Sequence, residues 1–423
     1  MNCQDYSALG EVVWKEKLSN GLDIYVIPKP AYGKQFAIFA ARCGGMDTKF
    51  CSQNCQWVDI PAGVAHYLEH KLFDTEDGSV SAEFAESGAS DNAFTAADMT
   101  GYYFDCTCDF EKNLKLLLNF VSNPCFTEES VQKEQGIITQ EISMEEDDPY
   151  SELYYKMMEL LYAEHPIRNR IAGTADSISA INAELLYRCH KAFYHPGNMI
   201  LCVGGNVDPE RVIQIAKETL SSPVAASMER EYGGGEPPGT VGRFAQWPMP
   251  VSSPLFNIGI KCDPPEKGEC LRQRFVAELA CDVLFGPSSM LYNRLYDEGL
   301  INSSFGGDYE FVPGAAYILI SGESRNPKKI KTEILKEAER LAEKGFDDIF
   351  WDRLVRAAYG AAVRRLNSLE DICMEVIQTH FDDEDYFQFP ELFQSIQKQD
   401  VQKLLAEWFT EERTALAVVT PQK

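Results

Sequence analysis

Apolar and polar positions along the first half of the chain predict buried strands followed by amphipathic helices. Leu22–Ile27 and Gln35–Ala41 are nearly continuous apolar runs of strand length, a pattern typical of strands inside a sheet. Gly63–Phe73 and Asp109–Val121 instead carry apolar residues at helical spacing. In the second of these helices the predicted inward positions are Phe110, Leu114, Leu117, Leu118 and Val121. The succession of strands, helices and further strands predicts an α+β fold, an α/β sandwich whose largely antiparallel sheet carries helices on one face.

A long helical segment, Thr127–Tyr162, follows these elements. Thr127 is a suitable N-cap, and Glu128 and Glu129 occupy the first turn, where the helix dipole favours negative charge. Pro149 lies inside the segment and is expected to break or kink it, because proline lacks the backbone N–H that a helix interior needs. The segment is therefore predicted to form one kinked helix or two helices.

A linker is predicted where glycine, proline and charge cluster, at Glu229–Gly242. It divides the chain into a domain at 1–228, a linker at 229–245 and a second domain at 246–423. The two halves also resemble each other. A helix, an aromatic pair and a strand recur at an offset of 215 residues, with Phe193–Tyr194 falling on Trp408–Phe409. A strand followed by a helix recurs at 217 residues, with the helices starting near Asp109 and Asn326. Two nearly equal offsets predict a duplicated domain.

Composition narrows the classes of partner. The 423 residues carry a formal charge of -26, which argues against nucleic acid and anionic membranes. No apolar run approaches the ~18 residues that a membrane-spanning helix needs, and the N-terminal residues lack the pattern of an export signal. A cytoplasmic location is therefore expected. In that compartment the thirteen cysteines, including the close pairs Cys51 with Cys55 and Cys106 with Cys108, are expected to be reduced thiols.

The residues that indicate chemistry are His66, Glu69 and His70, in the order H-x-x-E-H. On a helix, residues four apart share a face, so both imidazoles can reach one metal ion while Glu69 lies beside them. Zinc lowers the pKa of a bound water towards ~7, and a neighbouring glutamate can accept its proton. This is the order of residues in the inverzincin class of peptidases.

A third metal ligand is expected from the long helix. Glu134 and Glu141 are seven residues apart and therefore share one helix face. Glu141 is predicted to be the ligand, and Glu134 is predicted to orient the site as part of the catalytic set. Glu145, one turn further on, is the rival ligand.

These residues resemble the insulinase (pitrilysin) family of zinc peptidases, and the resemblance extends over essentially the whole chain. It implies one Zn²⁺ per chain, the processing-peptidase-like branch, and two homologous domains arranged as a clam-shell. Asn92, Ala93, Phe94 and Thr95, followed by Thr100–Phe104, resemble the edge strand on which the family binds substrate. The resemblance therefore implies that a peptide substrate is bound as an added β-strand.

The second half departs from the family pattern. At the 215-residue offset, the metal-site positions fall on Cys281, Leu284 and Phe285, so no second zinc site is expected. The Arg and Tyr that family members place around a Gly-Leu pair are Leu295 and Asn302 here. This mismatch predicts a dimer with a paralogue that lacks the zinc motif but carries the missing residues. The alternative is a homodimer that positions substrate with Arg294 or another cation.

Three functions are compatible with these features. The first is a zinc-dependent endopeptidase that cleaves flexible peptides or unfolded segments. The second is a non-catalytic, zinc-binding scaffold subunit of a peptidase-like complex. The third is a structural or sensory zinc protein. Glu69 favours the first, because neither of the others needs a base next to the metal.

Overall fold

A computed structural model describes residues 1–51, 57–75, 78–220 and 228–422. The strands in these residues, numbered along the chain, are β1 (Asn2–Tyr6), β2 (Glu11–Lys17), β3 (Asp23–Pro28), β4 (Gln35–Ala41), β5 (Lys49–Cys51), β6 (Trp57–Asp59), β7 (Asp74–Thr75), β8 (Gly78–Ser79), β9 (Ser90–Thr95), β10 (Thr100–Cys106), β11 (Met199–Gly205), β12 (Glu229–Arg230), β13 (Phe244–Met249), β14 (Leu255–Cys262), β15 (Gly306–Val312), β16 (Ala315–Glu323) and β17 (Thr414–Pro421).

The helices, in the same order, are α1 (Val64–Leu72), α2 (Val80–Glu86), α3 (Phe110–Ser122), α4 (Glu128–Asp147), α5 (Pro149–Leu161), α6 (Ala175–Ser179), α7 (Ala183–Phe193), α8 (Pro209–Thr219), α9 (Cys270–Phe285), α10 (Met290–Asp297), α11 (Pro327–Lys344), α12 (Asp348–Arg365), α13 (Leu369–Phe381), α14 (Phe389–Ser395) and α15 (Lys398–Trp408). None of these helices has the length and apolar character needed to cross a membrane.

The chain forms two compact units, and neither is a continuous stretch of sequence. The first unit consists of Met1–Ile142, Asn169–Glu231 and Val363–Phe381. The second consists of Ser143–Arg168, Tyr232–Ala362 and Asp382–Lys423. The predicted division at 229–245 therefore separates the repeated sequences but does not describe the compact units. The segments that carry α5 and α13 each belong to the unit of the other half.

The first unit is built on a seven-stranded sheet in the order β1-β2-β3-β11-β4-β10-β9. Neighbouring strands are antiparallel, except that β3 and β11 run parallel. Alternate residues of the central strands, such as Phe39 and Leu201, face a core that includes residues of α1, α3, α7 and α8. The other face is covered by α13, since Gly204 of β11 lies against Leu369 and Cys373.

The second unit repeats this plan in the sheet β13-β17-β14-β16-β15, where only the β13–β17 pair is parallel. Here α5 covers the second face, because Gly259 of β14 lies against Met157 and Leu161. The helices α7 and α15 stand 215 residues apart at both ends, as the duplication predicts. The α+β class and the two-domain architecture are therefore confirmed. Helices on both faces differ from the one-sided prediction, because the central strands are apolar throughout and need cover on each side.

The long helical segment divides into two helices. α4 ends at Asp147, and the Asp148 side chain caps α5 by accepting a hydrogen bond from the backbone N–H of Ser151, with Pro149 as the first helical residue. At the start of α4, the Thr127 hydroxyl accepts from the backbone N–H of Ser130. The predicted break and the predicted cap are both confirmed.

Eleven of the cysteines in the described residues are free thiols, among them Cys106 and Cys108, as the sequence predicts for these positions. Cys55, predicted to be reduced as well, lies outside the described residues.

Candidate metal centre and edge strand

The helix α1 presents its polar face to the site because its other face is anchored in the core. Val64, Tyr67, Leu68 and Leu72 are buried. The Tyr67 hydroxyl also donates a hydrogen bond to the backbone carbonyl of Val131 on α4, which joins the two helices that carry the predicted ligands. His66, Glu69 and His70 are left on the side of α1 that faces α4 and β9.

The start of α1 requires glycine at position 63. Gly63 has a φ of 97°, and a side chain there would lie 2.6 Å from the carbonyl oxygen of Ala172. Only glycine adopts this conformation without strain. The close approach fixes where α1 begins, and thereby the positions of the site residues one to two turns later.

The structure brings His66, His70 and Glu141 together. The Nε2 atom of His66 lies 3.6 Å from Oε1 of Glu141, and Nε2 of His70 lies 3.6 Å from Oε2 of the same carboxylate. One ligand atom from each residue falls within 4.8 Å of the other two, which allows all three to contact one ion. Among the described residues this metal-capable group contains Glu141 and not the rival Glu145.

Glu134 orients one of the imidazoles. Its Oε1 atom lies 3.0 Å from Nδ1 of His70. A carboxylate in this position accepts the Nδ1 proton, which leaves Nε2 as the free electron pair directed towards Glu141. The same hydrogen bond raises the pKa of His70 and lowers the pKa of Glu134. The role of Glu134 in the catalytic set stays a prediction, which this contact with His70 supports.

The surroundings of His66 favour its neutral imidazole form. Burial, helped by the neighbouring His70, lowers the pKa of His66 to about 4. Its Nδ1 atom is buried and has no hydrogen-bond partner in the part of the chain that the structure describes. A neutral ring is the form that binds a metal. The donor set of two imidazoles and one carboxylate is the set that catalytic zinc sites use, so the residues present fit Zn²⁺.

Glu69 lies beside this group in a partly buried position. Its Oε2 atom accepts a hydrogen bond of 2.7 Å from the hydroxyl of Thr95 on β9. Burial raises the pKa of Glu69. A carboxylate with a raised pKa is a stronger base than an ordinary glutamate, which suits it to accept a proton from water.

The strand β9 forms the edge of the sheet. It pairs with β10 on one side, with Thr95 opposite Thr100, and it ends the strand order of the first unit. The backbone N–H of Ala93 donates to the Asn92 side chain at 2.9 Å, which places this donor on the unpaired side. The side chain of Phe94 lies against Gly101 on β10, where a side chain at Gly101 would come within 2.7 Å of the ring. A further strand can therefore pair with this edge when the Asn92 side chain is displaced from the Ala93 N–H.

Comparison with known proteins identifies the family. A model described as "Insulinase (Peptidase family M16)" matches residues 59–175, and one described as "Peptidase M16 inactive domain" matches residues 180–357. The chain is 36% identical over 427 residues to the "Uncharacterized zinc protease YmfH" of Bacillus subtilis, and the match covers 99% of each. The chain belongs to the insulinase family. Shorter matches include an uncharacterized zinc protease of Rickettsia felis, 32% identical over 38% of this chain and 40% of the relative.

Solved structures of insulinase-family proteins share the fold. A crystal structure described as an M16-like peptidase from Alicyclobacillus acidocaldarius has a TM-score of 0.92 and 31% identity, covering 97% of this chain and 99% of the other. Pitrilysin has a TM-score of 0.77 at 16% identity, covering all of this chain and 45% of its own. The two-domain α/β fold is thus that of the insulinase family.

The second half of this insulinase-family chain carries apolar residues where a metal site would fall. Cys281, Leu284 and Phe285 lie on α9 and are buried. At the positions of the family's Arg and Tyr, Leu295 is fully buried and the Asn302 side chain accepts hydrogen bonds from the backbone N–H and the hydroxyl of Ser304. These residues have no cationic or phenolic group to offer a substrate.

Arg294, the alternative cation, is already paired. Its guanidinium lies 2.7 Å from Glu333 and 3.8 Å from Glu298. Two carboxylates therefore offset its charge.

The hydrogen bond from Thr95 to Glu69 was not predicted from the sequence. From the sequence, Thr95 was expected only to belong to the strand that binds the substrate. The alternation of side chains along β9 is the signal that would have found it, because Ala93 and Thr95 point to the same face, towards α1.

Proposed function

We propose that this chain is a zinc-dependent endopeptidase in which His66, His70 and Glu141 hold one Zn²⁺ and Glu69 is the general base. The observation that carries the proposal is the convergence of three suitable ligand atoms within 4.8 Å. A partly buried, hydrogen-bonded carboxylate stands beside them at Glu69. A structural zinc site has no use for this last group, because its coordination is closed.

The chemistry follows from the positions of these groups. Zn²⁺, when bound, supplies a water of lowered pKa and polarises a carbonyl group. Glu69 would take a proton from the attacking water as the water oxygen forms its bond to the carbonyl carbon of the peptide. Glu69 then delivers the proton to the amide nitrogen as the C–N bond breaks, which leaves a carboxyl group and an amine. Glu134 holds the His70 ring in place throughout.

The unpaired edge of β9 supports the mode of substrate binding. An extended peptide can pair with this edge and extend the sheet by one strand. Backbone pairing selects an extended conformation more than a particular sequence, so we propose flexible peptides and unfolded segments as substrates. The enclosing clam-shell chamber stays a prediction.

The active form that we propose is a heterodimer with a paralogue that lacks H-x-x-E-H and carries the missing Arg and Tyr. Three features of this chain support it: Leu295 is buried, the Asn302 side chain accepts hydrogen bonds from Ser304, and Arg294 forms an ion pair with Glu333. The pairing of Arg294 with Glu333 makes a homodimer that relies on this residue less favoured, and leaves a homodimer that uses another cation as the alternative. The missing Arg and Tyr also keep the non-catalytic scaffold as the second candidate function.

Metal analysis combined with peptide cleavage tests the proposal. The purified chain should contain one zinc per molecule, and a chelator should remove both the zinc and the cleavage of an unstructured fluorogenic peptide. Added zinc should restore both, while a folded globular protein should resist cleavage at internal sites. A chain that binds zinc but cleaves no peptide, alone or with the paralogue, would support the scaffold instead.

A further inference from the structure

We propose that Thr95 is a positioning residue that fixes the carboxylate of Glu69 for proton transfer, and that it does so from the strand that receives the substrate. The inference rests on the proposed function, since it assigns how the base of that reaction is held. It changes the role of Thr95 from a substrate contact to a residue that acts through Glu69.

The contact between the two side chains is direct. The Thr95 hydroxyl donates to Oε2 of Glu69 at 2.7 Å. A hydroxyl has one proton to donate, so Thr95 has none left for the substrate through this group. Among the described residues none donates a hydrogen bond to Oε1 of Glu69, which leaves this oxygen for the attacking water. A glutamate side chain otherwise rotates about several bonds, and holding one oxygen limits the directions in which the other can point.

The backbone of β9 makes Thr95 a firm anchor. Thr95 stands opposite Thr100 in the ladder between β9 and β10, and Thr100 is itself fully buried, with its hydroxyl donating to the carbonyl of Cys43. The β-branched side chain of threonine has restricted rotation about its first bond. The position of the hydroxyl is therefore set by the sheet rather than by solvent.

The same strand connects substrate binding with the base. The backbone N–H of Ala93 lies on the unpaired side of β9, and residues two apart in an antiparallel strand direct their backbone groups to the same side. Ala93 and Thr95 thus share the edge that we propose for the substrate. A peptide paired with this edge steadies the backbone that carries the Thr95 hydroxyl, so binding and alignment of the base are linked through β9.

Removal of the hydroxyl tests the inference. Thr95→Val keeps the shape of the side chain and removes the donor, Thr95→Ser keeps the donor, and Thr219→Val removes a comparable hydroxyl on α8, where it donates to the Ile215 carbonyl. Each variant is compared for zinc content, turnover of a fluorogenic peptide, and affinity for a phosphinic peptide that mimics the tetrahedral state. The last measurement needs no turnover, so a partner-dependent chain can still be tested.

We expect Thr95→Val to retain its zinc, to keep KM within about twofold, and to lose about tenfold in kcat and in affinity for the phosphinic peptide, as removal of one hydrogen bond to a charged group does. Thr95→Ser and Thr219→Val should resemble the wild type. In a Glu69→Gln background, Thr95→Val should add no further loss, because the effect acts through Glu69.

Two results would overturn the inference and leave the proposed function standing. One is a Thr95→Val chain that binds the phosphinic peptide as tightly as the wild type. The other is a loss that persists in full in the Glu69→Gln background. A wild-type chain that binds neither zinc nor the phosphinic peptide would overturn the proposed function itself and, with it, this inference. The two failures can be told apart. The proposed function fails if the wild-type chain does not bind zinc or the phosphinic peptide, whereas the inference alone fails if the wild type binds both and the Thr95 variants do not behave as expected.

Discussion

At the scale of single residues, the site depends on differences between groups of the same kind. Glu69 and Glu134 are both glutamates, yet burial raises the pKa of the first and the hydrogen bond to His70 lowers the pKa of the second. His66 and His70 differ likewise, since burial lowers the pKa of His66 and the contact with Glu134 raises that of His70. The environment therefore gives each residue a distinct chemical role, in which Glu69 suits a base and Glu134 suits an orienting anion.

Glu69→Gln separates the base from the metal site. The amide keeps the shape of the side chain but cannot accept the proton, so zinc content should be unchanged while turnover falls by about 10²–10⁴. Zinc per chain and kcat are the two measurements. Glu86→Gln, which changes an exposed glutamate of α2, is the matched control. Wild-type turnover by Glu69→Gln would assign the base to another residue.

Glu141→Gln and Glu145→Gln decide the third ligand. Glu141 has oxygens 3.6 Å from each imidazole, so its loss should weaken zinc binding strongly, while Glu145→Gln should leave it near the wild-type value. Glu134→Gln should fall between them, with about 10–100-fold weaker binding, because it disturbs only the orientation of His70. Competition with a chromogenic chelator measures the affinities. Normal zinc binding by Glu141→Gln together with loss in Glu145→Gln would reverse the assignment.

At the scale of secondary structure, the edge strand and the linker are held by specific polar contacts. On β9, the side chain of Asn92 occupies the outward N–H of Ala93, a device that covers an unpaired edge. In the predicted linker, Arg230 pairs with Asp47 of the first unit. Glu236 accepts hydrogen bonds from the backbone N–H groups of three successive residues of the second unit and pairs with Lys261; the three are Ala163, Glu164 and His165. Each of these two residues of the predicted linker is thus held by an ion pair within its own unit, Arg230 with Asp47 and Glu236 with Lys261.

Ala93→Pro tests strand addition. Proline removes the outward N–H and is tolerated on the free side of an edge strand, so the affinity for an extended peptide should fall by about tenfold while zinc content stays the same. Asn92→Ala is the contrasting variant. It uncovers the same N–H, so peptide affinity should hold or rise. Equal affinity of Ala93→Pro and the wild type, measured by fluorescence anisotropy, would place the substrate elsewhere.

Glu236 should make the stability of the second unit depend on pH in the acidic range. Burial works to raise its pKa, but the three backbone N–H groups and Lys261 outweigh it and lower the pKa from 4.5 to about 2. A group with a lower pKa in the folded chain stabilises it above the unfolded pKa and loses that effect as the pH falls. The stabilisation should therefore be complete above about pH 4.5 and disappear towards about pH 2.

The variant Glu236→Gln measures this contribution. It should lower the free energy of unfolding by about 1–3 kcal/mol at pH 7, because the hydrogen bonds then lack a charged acceptor. The difference from the wild type should shrink as the pH falls below about 4.5. Denaturant unfolding at several pH values checks both points, with Glu339→Gln on the exposed side of α11 as the control. A difference that does not change with pH would remove the charge of Glu236 as its cause.

At the scale of the whole molecule, the first half of the chain has all the residues of the candidate metal site. The second half lacks the Arg and Tyr that are expected to bind the substrate and its oxyanion. An oxyanion donor is worth on the order of 10²–10³ in rate. We therefore expect the purified chain to cleave peptides weakly, and to gain about that factor when it is mixed with the paralogue that carries Arg and Tyr. Titration of the paralogue into a peptide cleavage assay measures the gain. Full activity of the chain alone, unchanged by the paralogue, would rule out this division of labour.

The sequence predicted features that depend on neighbouring or repeated residues better than it predicted contacts between residues far apart in the chain. The H-x-x-E-H spacing, the Pro149 break and the 215-residue repeat each depend on residues close in sequence or on a repeated pattern, and the structure agrees with them in the relevant elements. The contact of Thr95 with Glu69 and the cover that α13 gives to β11 join residues far apart in the chain. Hydrophobic periodicity gives the buried face of an element but not its neighbour, so these contacts needed the structure.

The placement of α5 and α13 has a consequence for how the protein can be divided. A chain severed at the linker yields two fragments, each with a complete sheet and each without the helix that covers one face of that sheet. The first fragment would leave the faces of β4 and β11 that carry Ile38 and Cys202 exposed to water. The second would do the same around Gly259. Neither piece is a self-sufficient module, and the two should regain native structure only by complementation, when both are present to exchange these helices.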